Sequence, residues 1–182
     1  MAKLLHTTRE IMKHAIVRGL TRAAPQGKLH LGAVHFPCAL GRSGRGVKQR
    51  EGDGVTPIGR WPVRQVFYRA DRGARPHTAL PVVPICPWFG WCDAPGDANY
   101  NRLVRLPYPT SCERLWREDG LYDIVAVLGY NDAPRVQGQG SAIFMHIAHS
   151  DYAPTEGCVA LSRQHLLMVL ERLEPGSDVV IC

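Results

Sequence analysis

Ile143-Phe144-Met145-His146-Ile147-Ala148-His149-Ser150-Asp151-Tyr152-Ala153-Pro154-Thr155-Glu156-Gly157-Cys158-Val159-Ala160-Leu161-Ser162 is the stretch on which the reading of this chain turns. It runs from an apolar, strand-like segment ending in a histidine, through a polar loop, to a cysteine in a glycine turn. A thiol with an ordinary pKa of about 8.5 is mostly protonated at neutral pH, so a cysteine nucleophile needs an imidazole within hydrogen-bond reach. Twelve positions separate His146 from Cys158, enough for a strand end, a short loop and a return. Gly157 lets the backbone turn tightly, peptide N–H groups around 156–158 are placed to meet a developing oxyanion, and Thr155 can orient the turn through its hydroxyl. A cysteine and a histidine taken alone are more often a small buried hydrophobe and a satisfied core side chain. The surrounding pattern is what decides.

A histidine closing a hydrophobic strand, followed by Thr155-Glu156-Gly157-Cys158, resembles the catalytic signature of the L,D-transpeptidases of bacterial peptidoglycan, the YkuD-type domain. A second block agrees. Gly41-Arg42-Ser43-Gly44-Arg45-Gly46-Val47-Lys48-Gln49-Arg50-Glu51-Gly52-Asp53-Gly54-Val55-Thr56-Pro57-Ile58-Gly59-Arg60-Trp61 is similar to that family's glycine-rich loop ending in Thr-Pro-x-Gly-x-aromatic. The resemblance covers roughly residues 36–182, and two ordered motifs about a hundred residues apart are more specific than either alone. It implies a YkuD-like β-sandwich with long loops and one helix after the cysteine, with Cys158 as nucleophile and His146 as its base. The family commonly orients that histidine through a neighbouring main-chain carbonyl; Ile147 follows His146, so only its backbone can serve. Two positions depart from the family pattern. Ala160 stands where Arg or Asn is usual, and Glu156 stands where His is common, an anionic neighbour that opposes a thiolate unless it points away or meets a cationic part of the substrate.

The chain has 182 residues, of which 45% are hydrophobic, enough for one substantial core and most simply a single domain. Fourteen prolines and eighteen glycines punctuate short β-branched and aromatic runs, which argues for a mainly β fold. Strands are expected at 14–20, 28–34, 36–41, 61–69, 80–85, 123–130, 142–148 and 178–182. One helix is expected after the nucleophile: Ser162 caps it, Leu166, Leu167, Val169, Leu170 and Leu173 form its apolar stripe, and Pro175-Gly176 stops it. A shorter helical piece is expected near Ser111 to Arg117.

The formal charge of +6 suits anionic polymers in general and does not choose among wall peptide, nucleic acid and acidic membrane. The aromatics do not form an RNA-binding strand motif, and nucleic acid is not an expected partner. Arg42, Arg45, Lys48 and Arg50 form the densest basic group, read as a solvated loop or a substrate contact. The glycines of 41–46 are no phosphate loop, because no Gly-Lys-[Ser/Thr] follows. Six cysteines are too sparse for a disulfide framework, none sits in C-x-x-C, and no His pair at ligand spacing accompanies Cys86 and Cys92, so no structural metal is expected; the family resemblance implies no metal or organic cofactor either. If Cys158 is a free nucleophile, five thiols remain and at least one more is unpaired, a mild pointer to a reducing compartment.

Met1–Glu10 shows no apolar leader and the chain no membrane-spanning run. A cross-linking enzyme works in the periplasm, so the reading is periplasmic with a leader missing or unconventional export, or else cytoplasmic on recycled wall fragments. The segment 87–101, rich in aromatics, glycine and proline, reads as a long loop that caps the site or packs at the core edge. Tyr130 and Asn131, at the end of the strand before His146, are expected near the substrate, together with His149 and Tyr152. The expected partners are donor and acceptor peptidoglycan stem peptides, with the oligomeric state open. The expected reaction is L,D-transpeptidation through a thioester, forming a 3-3 or non-standard cross-link on a diaminopimelate amine. The alternatives are an L,D-carboxypeptidase with the same machinery and a non-catalytic module binding anionic polymer.

Overall fold

Runs of β-branched and aromatic residues fold as strands, and the computed structural model describes residues 11–182. Met1–Glu10, read above for an apolar leader, lies outside the described residues. In chain order the elements are β1 (His14–Gly19), β2 (Gln26–Leu31), β3 (Val34–Ala39), β4 (Arg45–Gly46), β5 (Thr56–Pro57), β6 (Gly59–Tyr68), β7 (Val82–Pro84), β8 (Phe89–Cys92), β9 (Leu103–Arg105), β10 (Cys112–Arg114), β11 (Ile124–Leu128), β12 (Phe144–Ile147), β13 (Val159–Leu161), α1 (Arg163–Glu171) and β14 (Asp178–Ile181). All eight expected strand segments carry a strand. The expected 28–34 strand overran a hairpin turn, where Gly32 at φ 61° takes the first position of the two-residue loop joining β2 to β3.

The main sheet runs β11-β12-β13-β3-β2-β1-β14-β6-β7. Its ten-residue strand β6 pairs with β14 from Gly59 to Pro62 and with β11 from Val63 to Tyr68. The sheet therefore curls until its two sides share one strand. The chain is mainly β, consistent with a YkuD-like fold, with one α-helix among the described residues.

Side-chain parity sorts the strands between two cores. All five residues of β11 are buried; Ile124, Ala126 and Leu128 enter one cluster, and Val125 and Val127 the other. On β12, Met145 joins the first cluster and Phe144 the second, so His146, two residues on from Phe144, shares the face of the second cluster. The first core is closed by α1, whose Leu166, Val169 and Leu170 are buried. Ser162 caps this helix, its hydroxyl accepting from the His165 N–H at 3.3 Å.

The second core is covered by a small sheet in the order β10-β8-β9. Two expectations change here. The helical piece near Ser111 to Arg117 is instead strand β10, with Glu113 in register with Trp91 on β8. Just past β10, Leu115 N–H donates to the Phe89 carbonyl and its side chain is fully buried in the cluster that holds Trp91 and Tyr122. The segment 87–101 is in part strand rather than all loop: Trp91 packs edge-on against Phe144 at 5.2 Å, while Trp88 stays exposed. No helix among the described residues is long and apolar enough to cross a membrane.

Leu170→Ala removes a fully buried side chain between α1 and the sheet, and the cost is expected to be about 2–5 kcal/mol in urea unfolding. Ser162→Ala, which removes only the cap, is expected to cost about 1 kcal/mol; equal losses for the two variants would contradict this account of the helix.

Candidate active site

Cys158 stands one residue before β13 and His146 in the middle of β12, and these two strands pair in parallel, with His146 opposite Ala160. That register brings the two side chains to one wall of a cavity of about 810 Å³. Both are buried, at 7% and 6% exposure. The imidazole Nδ1 lies 2.9 Å from the Ile147 carbonyl, so Nδ1–H is the donor and Nε2 is left as the basic nitrogen. The thiol sits between two main-chain groups: it donates to the Ala142 carbonyl at 3.3 Å and accepts from the Phe144 N–H at 3.3 Å. Among the described residues no hydrogen bond joins Sγ to the imidazole. A rotation of the thiol away from Ala142 is needed before His146 can take its proton.

Gly157 adopts φ 134°, and a Cβ there would stand 2.8 Å from the Val55 carbonyl oxygen. Thr155 Oγ1 donates to the Cys158 carbonyl at 2.7 Å and accepts from the Gly157 N–H at 3.1 Å, clamping the turn from within. The glycine-rich loop clamps it from outside. Arg42 N–H donates to the Thr155 carbonyl at 2.8 Å, Thr155 N–H to the Leu40 carbonyl at 2.9 Å, and Gly41 N–H to Thr56 Oγ1 at 2.7 Å. Glu156 turns outward, with 73% of its side chain exposed, and pairs with Arg42.

Burial dominates the electrostatics. It lowers His146 to about 4, only partly offset by the Ile147 carbonyl, and with the nearby Glu113 carboxyl it pushes the Cys158 thiol up to about 12. The resting pair is a neutral imidazole and a neutral thiol. Lys48 reaches the same cavity, its ammonium buried and paired with Asp53 at 2.6 Å. Glu113, raised by its own burial, accepts a hydrogen bond from Tyr122, whose ring meets His146 edge-on at 5.1 Å. Arg117 lies over that ring at 4.9 Å and is paired with Asp119.

Of the residues named from sequence, Cys158, His146, His149, Thr155 and Glu156 line this cavity. Tyr130 and Asn131 line a different one of about 420 Å³, with Trp61 and Val136. Asn131, at φ 50°, spends its side chain on the loop that follows, bonding Val136 and Gly140, and Tyr130 hydroxyl donates to Gln139. Tyr152 stands in a turn whose N–H donates to His149 and is not among the residues lining either cavity. Of the basic group, Arg42 is held by Glu156, Arg45 donates to the Thr21 carbonyl, and Lys48 alone reaches the cavity. Glu113, Tyr122, Arg117 and Ser141 are cavity residues the sequence reading did not assign to the site. Strand alternation at 112–114 was the only signal for Glu113, and a three-residue strand is too short to show it.

A family model described as YkuD, the L,D-transpeptidase catalytic domain, matches residues 24–181. No curated protein and no solved structure matches the chain.

Two consequences of the site's burial are measurable. His146 titrates near 6.5 when unfolded and near 4 when folded, so between those values the unfolded chain binds a proton that the folded one refuses. Stability is expected to rise with pH across that window, and roughly 3 kcal/mol is lost as pH falls through it; His146→Gln should flatten this part of the profile in denaturant titrations. Glu113→Gln removes a carboxyl that opposes the thiolate, so the pH midpoint for alkylation of Cys158 should move down, and an unchanged midpoint would separate Glu113 from the thiol.

Proposed function

Because this chain belongs to the L,D-transpeptidase catalytic-domain family, whose model matches it from residue 24 to residue 181, we propose that it transfers peptidoglycan stem peptides through a thioester on Cys158. The family acts on peptidoglycan peptides and is typically extracytoplasmic. The observation that carries the residue assignment is the shared wall: Cys158 and His146 face one cavity, and the Ile147 carbonyl holds the imidazole with Nε2 free to accept a proton.

That geometry supports the following course. Substrate enters, the thiol leaves the Ala142 carbonyl, and Nε2 of His146 takes its proton as sulfur attacks the donor carbonyl. Burial disfavours a free thiolate–imidazolium pair, so proton transfer and carbon–sulfur bond formation proceed together. The Gly157 N–H is held by Thr155, and the oxyanion falls to the neighbouring N–H groups of the turn, at Glu156 and Cys158. His146 returns the proton to the departing amine, leaving a thioester. An acceptor amine, assigned to a diaminopimelate residue of a second stem, then attacks the thioester; His146 takes its proton and passes it to the departing sulfur. An amide cross-link forms and the thiol is restored.

Incubating the protein and its Cys158→Ala variant with disaccharide tetrapeptide and pentapeptide muropeptides, followed by mass spectrometry, tests this reading. Cross-linked dimers from wild type alone are the expected result, with fragmentation locating the bond as 3-3 or another linkage. Shortened monomers alone would replace transfer by L,D-carboxypeptidase hydrolysis, and turnover by Cys158→Ala equal to wild type would remove the cysteine from the chemistry.

A further inference from the structure

Cys92 on β8 and Cys112 on β10 are direct partners in an antiparallel pair. Two bonds of that ladder fix its phase: Asp93 N–H donates to Ser111 at 3.3 Å, and Leu115 N–H to Phe89 at 3.1 Å. Residues 93 and 111, and 89 and 115, are thus hydrogen-bonded pairs, and alternation makes 92 and 112 a narrow, non-hydrogen-bonded pair. In such pairs the Cα atoms stand about 4.5 Å apart with side chains on one face, inside the range of about 4.4–6.8 Å that a disulfide spans. Both cysteines are free thiols. Both also touch Thr110: Cys92 Sγ lies 3.8 Å from its hydroxyl, and Cys112 Sγ donates to its carbonyl at 3.5 Å.

We propose that Cys92 and Cys112 form a cross-strand disulfide that closes the segment 93–111 beside the active-site cavity wherever a disulfide oxidant is present. The half-buried Cys112 reacts first. Its thiolate attacks one sulfur of the oxidant's disulfide and displaces a thiolate; the sulfur of buried Cys92 then attacks Cys112 Sγ and displaces the second. Two thiol protons leave the protein, one disulfide forms, and the oxidant is reduced to two thiols. Asp93 and Ser111, at the two ends of the closed segment, line the cavity, and Glu113 follows Cys112 directly. The bond therefore fastens this wall without touching Cys158. It also leaves three other cysteines besides the nucleophile, Cys38, Cys86 and Cys182, so a free-thiol nucleophile and an oxidising compartment are compatible in one chain.

The test is to equilibrate the whole protein with oxidised glutathione, block remaining thiols by alkylation, and map the peptides without reduction. A linked pair joining Cys92 to Cys112 is expected, with a Tm several degrees above that of the same protein in dithiothreitol and slower proteolysis within 93–111. Cys112→Ser, compared under the same two conditions, should show no such difference in Tm. The proposal is overturned if both thiols are recovered alkylated, if Cys112 carries glutathione while Cys92 remains a thiol, if either links to another cysteine, or if Cys112→Ser keeps the oxidative rise in Tm.

Discussion

Strand β6 gives its first four residues to β14 and the rest to β11, and one continuous segment thereby belongs to both sides of the main sheet. Much of the molecule follows from this sharing. It brings β11 into the interior, buried on both faces, and β12 pairs with β11 along the same wall. The parallel pairing of β12 with β13 then sets Cys158 near His146. Main-chain groups then hold both side chains, the Ile147 carbonyl the imidazole and the Ala142 carbonyl and Phe144 N–H the thiol. Their placement is inherited from backbone hydrogen bonds of the sheet, which are harder to displace than any single side-chain contact.

Putting the pair inside a core has an electrostatic consequence that the net charge conceals. The chain carries +6 overall, yet the cavity presents Glu51, Asp93, Glu113 and the Arg42-paired Glu156, while its two non-histidine cations, Lys48 and Arg117, are already paired with Asp53 and Asp119. A global charge governs long-range attraction; a cleft is governed by what lines it. Here burial keeps the Cys158 thiol protonated and the His146 imidazole unprotonated.

The sequence was most legible where periodicity or local stereochemistry was strong. Alternation over six to ten residues marked β1, β2, β3 and β6, and Ser162 with its apolar stripe marked α1. Thr155-Glu156-Gly157-Cys158 marked the turn, because positive φ at Gly157 beside a packed carbonyl admits little but glycine. Legibility failed where elements were short. β8, β9 and β10 have three or four residues each, below the length at which period two can be told from period 3.6, so Glu113 was placed on the wrong kind of element. Tyr130 and Asn131 fall in a second cavity rather than in the one that holds Cys158. Proximity to the end of β11 gave their position along the chain but not the left-handed backbone at Asn131, whose side chain is spent on the loop that follows.

The bonds between the glycine-rich loop and the Cys158 turn join residues more than a hundred positions apart: Leu40 and Arg42 to Thr155, with the Val55 carbonyl against Gly157. Contacts of such long sequence separation carry a large loop-closure cost and slow the folding of chains that depend on them. During folding the thiol remains an ordinary cysteine until the first and last thirds of the chain have met. The turn that carries Cys158 is thus a property of the completed fold, arriving with its most distant contacts rather than with the synthesis of the residue itself.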